Sequence, residues 1–332
     1  MKRALPLIPA DRVIAPAPPP PLEGVVSWNM NTTCNYRCSY CTQRFLDDRR
    51  RWARDVPAFL DAFGALPQLS GVPWEIKLSG GEPFLHPGFV DVVAGLRARG
   101  LFISVVTNFS RIDRSGRDSA RRPEDAAWGP EAGAPIDNDD DVDAFLDAAG
   151  EQLRVLSCSL HLEFADVKRF RARAVRAQRR LPTGASLVVT CVATRENLPR
   201  LRALASTFAD DGLRFKVQPE KQEREIVAYD DDGVALLRLL GGHNGTGHIA
   251  HDYGGQPCWA GARYFIVDDV GAAFRCYPAR RYRVEALGNI VDGTFRLGDA
   301  ASPCRYRSCN CTVPIARGMM PTHAVVDRFS DL

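Results

Sequence analysis

Cys34-Asn35-Tyr36-Arg37-Cys38-Ser39-Tyr40-Cys41 places three thiols within eight residues, spaced Cys-x3-Cys-x2-Cys. It follows Val25-Val26-Ser27-Trp28-Asn29-Met30-Asn31, which reads as a strand, so the thiols sit on the loop that leaves it. A loop this short wraps its sulfurs around one compact centre, and thiolates suit zinc or an iron–sulfur cluster. A closed structural site takes four protein ligands, and only three are local here. One metal position is then open, which is the arrangement catalysis uses. A zinc knuckle completed by a distant fourth ligand is the alternative.

The spacing, with an aromatic residue before the last Cys, resembles the signature of radical S-adenosylmethionine (SAM) enzymes. The resemblance implies that Cys34, Cys38 and Cys41 hold three irons of a 4Fe–4S cluster, whose fourth iron binds the amino and carboxylate groups of SAM. It implies reductive cleavage of SAM to a 5′-deoxyadenosyl radical that takes hydrogen from a substrate. An external electron donor of flavodoxin or ferredoxin type follows, and Tyr40 is placed near the adenine. A second motif agrees. Trp74-Glu75-Ile76-Lys77-Leu78-Ser79 reads as a strand running into Gly80-Gly81-Glu82-Pro83. Two glycines let the backbone turn sharply and approach a ligand. Their N–H groups and the Glu82 carboxylate can address a small zwitterion. This resembles the family's Gly-Gly-Glu-Pro motif, which binds the SAM amino group. A Gly-Gly pair alone marks only a turn; two motifs in this order, each after a strand, carry the resemblance.

A chain of 332 residues accommodates one large domain and a small one. A net charge of +3 carries no strongly basic nucleic-acid footprint. No apolar run approaches the roughly 20 residues of a membrane span. Met1-Lys2-Arg3 is basic, but Pro6, Pro9 and Asp11 break any signal-peptide core. Residues 1–23 read as a Pro-rich leader. The expectation is a cytoplasmic protein with no nucleic-acid or membrane partner. Ten Cys in such a chain argue for metal or catalysis rather than disulfides.

Beyond the first loop, helix-like and strand-like segments alternate. Helices are expected over 56–66, 87–99, 142–151, 164–181, 198–209 and 234–240, and strands over 102–108, 154–161, 186–194 and 214–220. In the fourth strand Ser157, Ser159 and His161 share one face and should point inward, with Cys158 and Leu160 outward. The family's fourth strand places polar groups near SAM and substrate, which makes Ser159 a cofactor contact and His161 a catalytic candidate; a hydrogen-bonded structural histidine is the alternative. Asn108 ends the third strand, where many family members carry a polar residue facing SAM. Lys216, Gln218 and Glu220 share a face of the sixth strand and would reach a bound substrate. The Arg-rich helix reads as a solvated face. Residues 111–141 are polar and rich in Gly and Pro, a loop or a substrate lid. Six strand–helix repeats argue for parallel strands in an α/β fold. The resemblance supplies a partial (β/α)6 TIM-like barrel over residues 24–242.

The composition changes over 243–332. His243, His248 and His251 lie on a Gly-rich connector and could ligate metal or touch substrate. Cys258, Cys276, Cys304, Cys309 and Cys311 follow, with a hairpin predicted between the first two. This third resembles the SPASM and twitch extensions of radical SAM enzymes, which hold auxiliary 4Fe–4S clusters. Five Cys suffice for one auxiliary cluster, with Cys258 and Cys276 as ligands and the rest drawn from Cys304, Cys309 and Cys311; a zinc ribbon is the alternative. Relatives of this kind oxidise alcohols on aminocyclitols, epimerise sugars or modify peptides. No N-terminal segment is long enough for a peptide-recognition domain, so a small substrate and net oxidation are expected. Epimerisation would need a hydrogen-donating thiol, either whichever of Cys304, Cys309 and Cys311 is not a ligand or Cys191 if its strand turns it inward, and peptide modification is the other alternative. A non-catalytic Fe–S or zinc protein would not need the Gly80–Pro83 motif.

Overall fold

A computed structural model describes residues 17, 19–41, 43, 55–110, 140–220, 227–241, 253–306 and 312–321. Strands and helices alternate as β1 (Gly24–Asn31), α1 (Val56–Ser70), β2 (Trp74–Gly80), α2 (Phe89–Ala98), β3 (Phe102–Thr107), α3 (Asp140–Ala149), β4 (Leu153–Leu160), α4 (Val167–Arg180), β5 (Ser186–Ala193), α5 (Leu198–Asp210), β6 (Arg214–Pro219) and α6 (Asp231–Leu240). Then come β7 (Pro257–Cys258), β8 (Tyr264–Val267), β9 (Ala272–Phe274), α7 (Tyr277–Tyr282), β10 (Ala286–Asn289), β11 (Ser302–Pro303) and α8 (Thr312–Ala316). The repeat is the expected partial (β/α)6 TIM-like fold. The main sheet runs β10-β9-β8-β1-β2-β3-β4-β5-β6 and is not closed. Residues 1–16, the segment 111–139, and His243, His248, His251, Cys309 and Cys311 lie outside the described residues.

The described chain divides into two compact units. One draws on Met1–Trp28, Ala53–Ile76 and Ala228–Leu332. Its core begins with Trp28, fully buried and stacked on Phe59 at 4.7 Å, with Phe63 edge-on at 5.3 Å. Gly24 lies under the Trp74 indole, where a Cβ would come within 2.4 Å of the ring. The hairpin expected between Cys258 and Cys276 forms from β8 and β9, with Ile266 opposite Phe274. Strand β8 also runs parallel to β1, with Val25 opposite Tyr264 and Trp28 opposite Val267. All four residues of β8 are buried, so it lies as an apolar interior strand rather than a free ribbon. Arg317 pairs with the buried carboxylate of Glu75 and with Glu23.

The other unit draws on Asn29–Trp52 and Lys77–Val227. Strands β3, β4, β5 and β6 pair in parallel. Two helix readings shift. Helix α2 starts at Phe89 behind Gly88, and its buried side is Phe89, Val92, Val93 and Leu96, with Val90 exposed, as i, i+3, i+4, i+7 spacing requires. Helix α4 starts at Val167 because Asp166 caps it, its carboxylate accepting from Arg169 N at 2.9 Å. The Arg-rich helix is not simply solvated. Arg171 pairs with Asp211, Arg176 with Asp143, and Arg180 with Asp143 and Asp147.

Trp28→Ala removes the ring on which the α1 aromatics pack. It should lower unfolding free energy by about 3–5 kcal/mol, read as a drop in the urea midpoint. A midpoint within a tenth of wild type would show that this packing is not what holds the unit.

Candidate active site

The cysteine loop is built from its own backbone and from three flanking elements. Cys41 N donates to Cys38 O at 3.0 Å, closing a tight turn between two of the thiols. Tyr36 N donates to Cys34 Sγ at 3.4 Å, and Asn108 Nδ2 approaches the same sulfur at 3.8 Å. Asn108 Nδ2 also donates to Asn35 Oδ1 at 2.8 Å, and Asn35 Nδ2 donates to Ser110 Oγ at 2.8 Å. The Asn108 side chain, expected to face SAM, thus ties the end of β3 to the loop. Behind Cys38, Ser39 N and Oγ donate to the Glu163 carboxylate at 2.9 and 2.5 Å. Tyr36 stacks on Phe164 at 4.9 Å.

His161 meets this loop directly. Its Nδ1 lies 2.7 Å from Tyr40 Oη and 3.3 Å from Cys38 Sγ. The rings of Tyr40 and His161 stack at 5.9 Å. Burial pushes the imidazole down to about 4, so it is neutral at pH 7. A neutral ring with Nδ1 accepting from the Tyr40 hydroxyl carries its proton on Nε2. Tyr40 is therefore held by His161, an anchor that the motif alone did not show.

Gly80-Gly81-Glu82 packs against the end of β1. A Cβ on Gly80 would lie 2.4 Å from Asn31 O, and one on Gly81 would lie 2.1 Å from Thr33 O. Gly81 N donates to Asn31 O at 2.9 Å, Glu82 N to Thr33 O at 2.8 Å, and Asn31 Nδ2 to Glu82 O at 2.7 Å. The Glu82 carboxylate is fully buried and accepts from Thr107 Oγ1, Asn108 N and Phe84 N at 2.7, 2.6 and 3.1 Å. The Gly81 and Glu82 N–H groups and the Glu82 carboxylate, expected to address a zwitterion, have partners within the chain here, because the glycines bring two strand ends close together. Asn31 Oδ1, Thr32 Oγ1 and Thr33 Oγ1 are buried beside them with no hydrogen-bond partner among the described residues.

Strand register fixes the faces. Ser159 lies opposite Thr190, and Thr190 opposite Lys216, with Thr190 Oγ1 donating to Ser159 Oγ at 3.3 Å. Leu160 lies opposite Cys191, on the other face. Cys191 is buried there, its Sγ 3.8 Å from Val192 O, and burial pushes its thiol up to about 12. A cavity of about 430 Å³ opens beyond the strand ends, lined by Ser39, Glu163, Thr194, Arg195, Glu196 and Glu220.

In the other unit Cys258, Cys276 and Cys304 are buried in one cluster with Tyr264, Phe274 and Tyr306. Cys258 lies opposite Ser302 on the β7–β11 ladder, and Cys304 N donates to Gln256 O at 2.8 Å. Ala260 N donates to Cys258 Sγ at 3.4 Å.

Residues 28–128, about a third of the chain, match the family model of the Radical SAM superfamily. Over 102 residues it is 35% identical to an S-adenosylmethionine-dependent nucleotide dehydratase of Psychrobacter lutiphocae. That match covers 27% of this chain and 34% of the relative, so the chain spans about a third of the relative's length. Among solved structures, anSMEcpe with bound AdoMet aligns at TM-score 0.53 and 15% identity over 81% of this chain and 78% of that one. Streptococcus suis SuiB bound to S-adenosylmethionine aligns at 0.53 and 14% identity, over 80% and 63%. SuiB bound to precursor peptide SuiA aligns at 0.53 and 13%, over 83% and 65%. Identities this low show a shared fold.

The family implies a 4Fe–4S cluster and SAM, and the residues of the first loop fit them. Burial pushes the Cys34 and Cys38 thiols up to about 12 and Cys41 upward, with Glu82 adding to Cys34. Iron reverses that by stabilising thiolate. The N–H groups aimed at Cys34 Sγ suit a thiolate acceptor, and the unpartnered oxygens of Asn31, Thr32 and Thr33 suit an ammonium donor. Among the described residues no three His, Cys, Asp or Glu are grouped to hold a single metal ion. A cluster asks for a different arrangement, since each thiolate takes its own iron and the ligands stand apart around it.

Lys216 gives a pH signature. Burial, with Arg214 and Lys77 nearby, pushes its ammonium from 10.5 down to about 8. Below pH 8 both folded and unfolded chains hold the proton and the burial penalty is complete. Between about 8 and 10.5 the unfolded chain binds more protons, so the penalty fades as pH rises. Lys216→Met should therefore stabilise the fold at pH 7, by at most about 3 kcal/mol, and the gain should shrink by pH 10. Parallel urea titrations at the two pH values check this; a gain independent of pH would show that the charge is not the cause.

Proposed function

We propose that the chain reductively cleaves SAM and abstracts hydrogen from a small sugar- or aminocyclitol-like biosynthetic substrate. Net oxidation is assisted by an auxiliary 4Fe–4S cluster on Cys258, Cys276 and later cysteines. The observation that carries the reading is the single network joining the Cys34–Cys41 loop, Asn108 and Glu82. It locks both family motifs together in one buried site, which a plain zinc knuckle has no use for.

When bound, the first cluster supplies the electron that splits SAM into methionine and a 5′-deoxyadenosyl radical. The chain's own residues hold and orient. Cys34, Cys38 and Cys41 are the cluster ligands. Gly80, Gly81 and Glu82 fix the end of β1 so that Asn31, Thr32 and Thr33 offer oxygens to the SAM ammonium. Tyr40, braced by His161, caps the loop. Ser159, Thr190 and Lys216 make a polar row on the inner face. The cavity bounded by Ser39, Glu163 and Glu220 suits a polar ligand. An external flavodoxin- or ferredoxin-like protein supplies electrons.

Net oxidation is the proposed reading, with epimerisation as its alternative. An epimerase needs a thiol that returns hydrogen to the substrate; Cys191 lies on the opposite face of β5 from Thr190 yet within electrostatic reach of Tyr40, and the other candidates are whichever of Cys304, Cys309 and Cys311 is not a ligand. The nucleotide of the dehydratase is that relative's substrate; its match spans about a quarter of this chain. The precursor peptide belongs to SuiB, which shares the fold at 13% identity.

After anaerobic reconstitution the wild-type chain should hold about eight irons and form 5′-deoxyadenosine from SAM under reduction. Cys38→Ala should abolish that product while keeping the iron of the other site. Retained SAM cleavage in this variant would refute the ligand assignment, and zinc without SAM cleavage would sink the whole reading.

Turnover in deuterated water separates the two outcomes for substrate. Oxidation predicts no deuterium at a non-exchangeable substrate carbon. Deuterium there, found by mass spectrometry, would mean hydrogen return from an exchanging thiol, and epimerisation would replace oxidation.

A further inference from the structure

Arg275 is the least expected residue of the C-terminal unit. Its guanidinium is buried beside the backbone of Cys258 and within electrostatic reach of the Cys258 and Cys276 thiols rather than at a surface. Nε donates to Ala260 O at 2.9 Å. Nη1 donates to Pro303 O at 2.9 Å and to Glu285 Oε1 at 3.0 Å. Nη2 donates to Ser302 O at 2.6 Å and to Cys258 O at 3.4 Å. A buried charge is costly unless paired and hydrogen-bonded, and here every arm of the fork is used.

The acceptors are not scattered. Cys258 and Ala260 belong to the segment that presents the first thiol. Ser302 and Pro303 directly precede Cys304. Arg275 itself directly precedes Cys276. The β7–β11 ladder between two of these segments is only two residues long on each side. A ladder that short does not hold itself together in water. The guanidinium supplies the missing cross-links, in a planar fork that a lysine cannot reproduce.

We propose that Arg275 is a positioning residue for the C-terminal thiol site, holding Cys258, Cys276 and Cys304 together and setting a fixed positive charge beside them. The inference rests on the auxiliary-cluster reading given above. Thiolates gathered around iron leave net negative charge, and outer groups of this kind tune both affinity and potential. One carboxylate, Glu285, pairs with Arg275, and it also accepts from the Tyr306 hydroxyl. The carbonyls take up the remaining donors, so Glu285 is the one carboxylate among these hydrogen-bond partners, and Cys258 and Cys276 also lie within electrostatic reach of the guanidinium.

The test uses the full chain with Cys34, Cys38 and Cys41 all changed to Ala, so that remaining iron reports the C-terminal site. Two variants are compared in that background. Arg275→Lys keeps the charge and loses the fork; Arg275→Gln loses the charge. Iron retention against a chelator should fall by roughly 10–100-fold in both. In an EPR-monitored redox titration the Gln variant's midpoint should move to more negative potential, while the Lys variant stays near the parent. Parent-like retention and potential in both would overturn the proposal. If Arg275→Gln loses its far-UV circular dichroism, the Lys variant decides by the same retention criterion. A parent that binds no iron is a different failure: the auxiliary-cluster reading itself falls, and the role of Arg275 with it.

Discussion

A carboxylate with no solvent contact holds the candidate site in one piece. Glu82 leaves the turn after β2, and its side chain takes three hydrogen bonds, two of them from the end of β3. Its backbone is stitched to the end of β1. Burial pushes this carboxyl up to about 7, against the opposing pull of Thr107, Asn108, Phe84 and Arg173. Charge-assisted bonds to an ionised acceptor are worth roughly 1.5–3 kcal/mol each, so the three bonds offset much of the cost of burial. Three consecutive strand ends are thereby fixed relative to one another before any ligand arrives. The cysteine loop hangs from the first of these ends and is tied by Asn108 to the third. Gly80 and Gly81 are the condition for this, because side chains there would collide with Asn31 and Thr33.

The part of this site legible in the sequence was the part with short-range grammar. Cysteine spacing, a Gly-Gly turn after an apolar run, and alternating periodicity are local, and each of those readings rests on neighbours within about ten residues. The alternation of β4 was readable for the same reason, since half-buried Ser157 and Ser159 alternate with buried Cys158 and Leu160. What the residues do once placed was less legible. Glu82 and Asn108 read as ligand contacts because they are polar and close to the motifs, and the sequence did not show the partners within the chain that the fold gives them. Glu163, Thr107 and Arg173 carried no signal, since their partners are 124, 25 and 64 positions away. The Arg-rich helix misled in the same way. Its charges read as solvated until the acids of Asp143, Asp147 and Asp211 are brought beside it by the fold.

The two cysteine sites are supported by different physics. The first rests on a hydrogen-bonded loop whose donors come from neutral amides, Asn108 and the Tyr36 backbone. The second rests on a buried cation and an apolar surround. Neutral donors stabilise thiolate modestly and directionally, whereas a fixed charge in a low-dielectric cluster acts on every thiolate around it. In the first site Tyr40 and His161 are both uncharged at neutral pH, and the cation beside the thiols is Arg37, exposed within the loop and bonded to Cys34 O.

The inner face of the sheet bears on the kind of substrate the site can take. Ser159, Thr190 and Lys216 lie in one row across β4, β5 and β6. The described rim beyond it adds Glu163, Glu196 and Glu220, with Arg195 as the opposing charge. Hydroxyls, carboxylates and one guanidinium, with Val227 as the apolar contact, line a cavity of about 430 Å³ and disfavour a wholly apolar ligand, which could not replace the water those polar groups would lose. They match a molecule dense in hydroxyl or amine groups, each able to take over a hydrogen bond on entry. Radical chemistry at a C–H bond needs that bond held still, and several short polar contacts to a rigid ring hold it better than a few contacts to a flexible chain. The polarity of this row and rim is thus what supports the proposed substrate class.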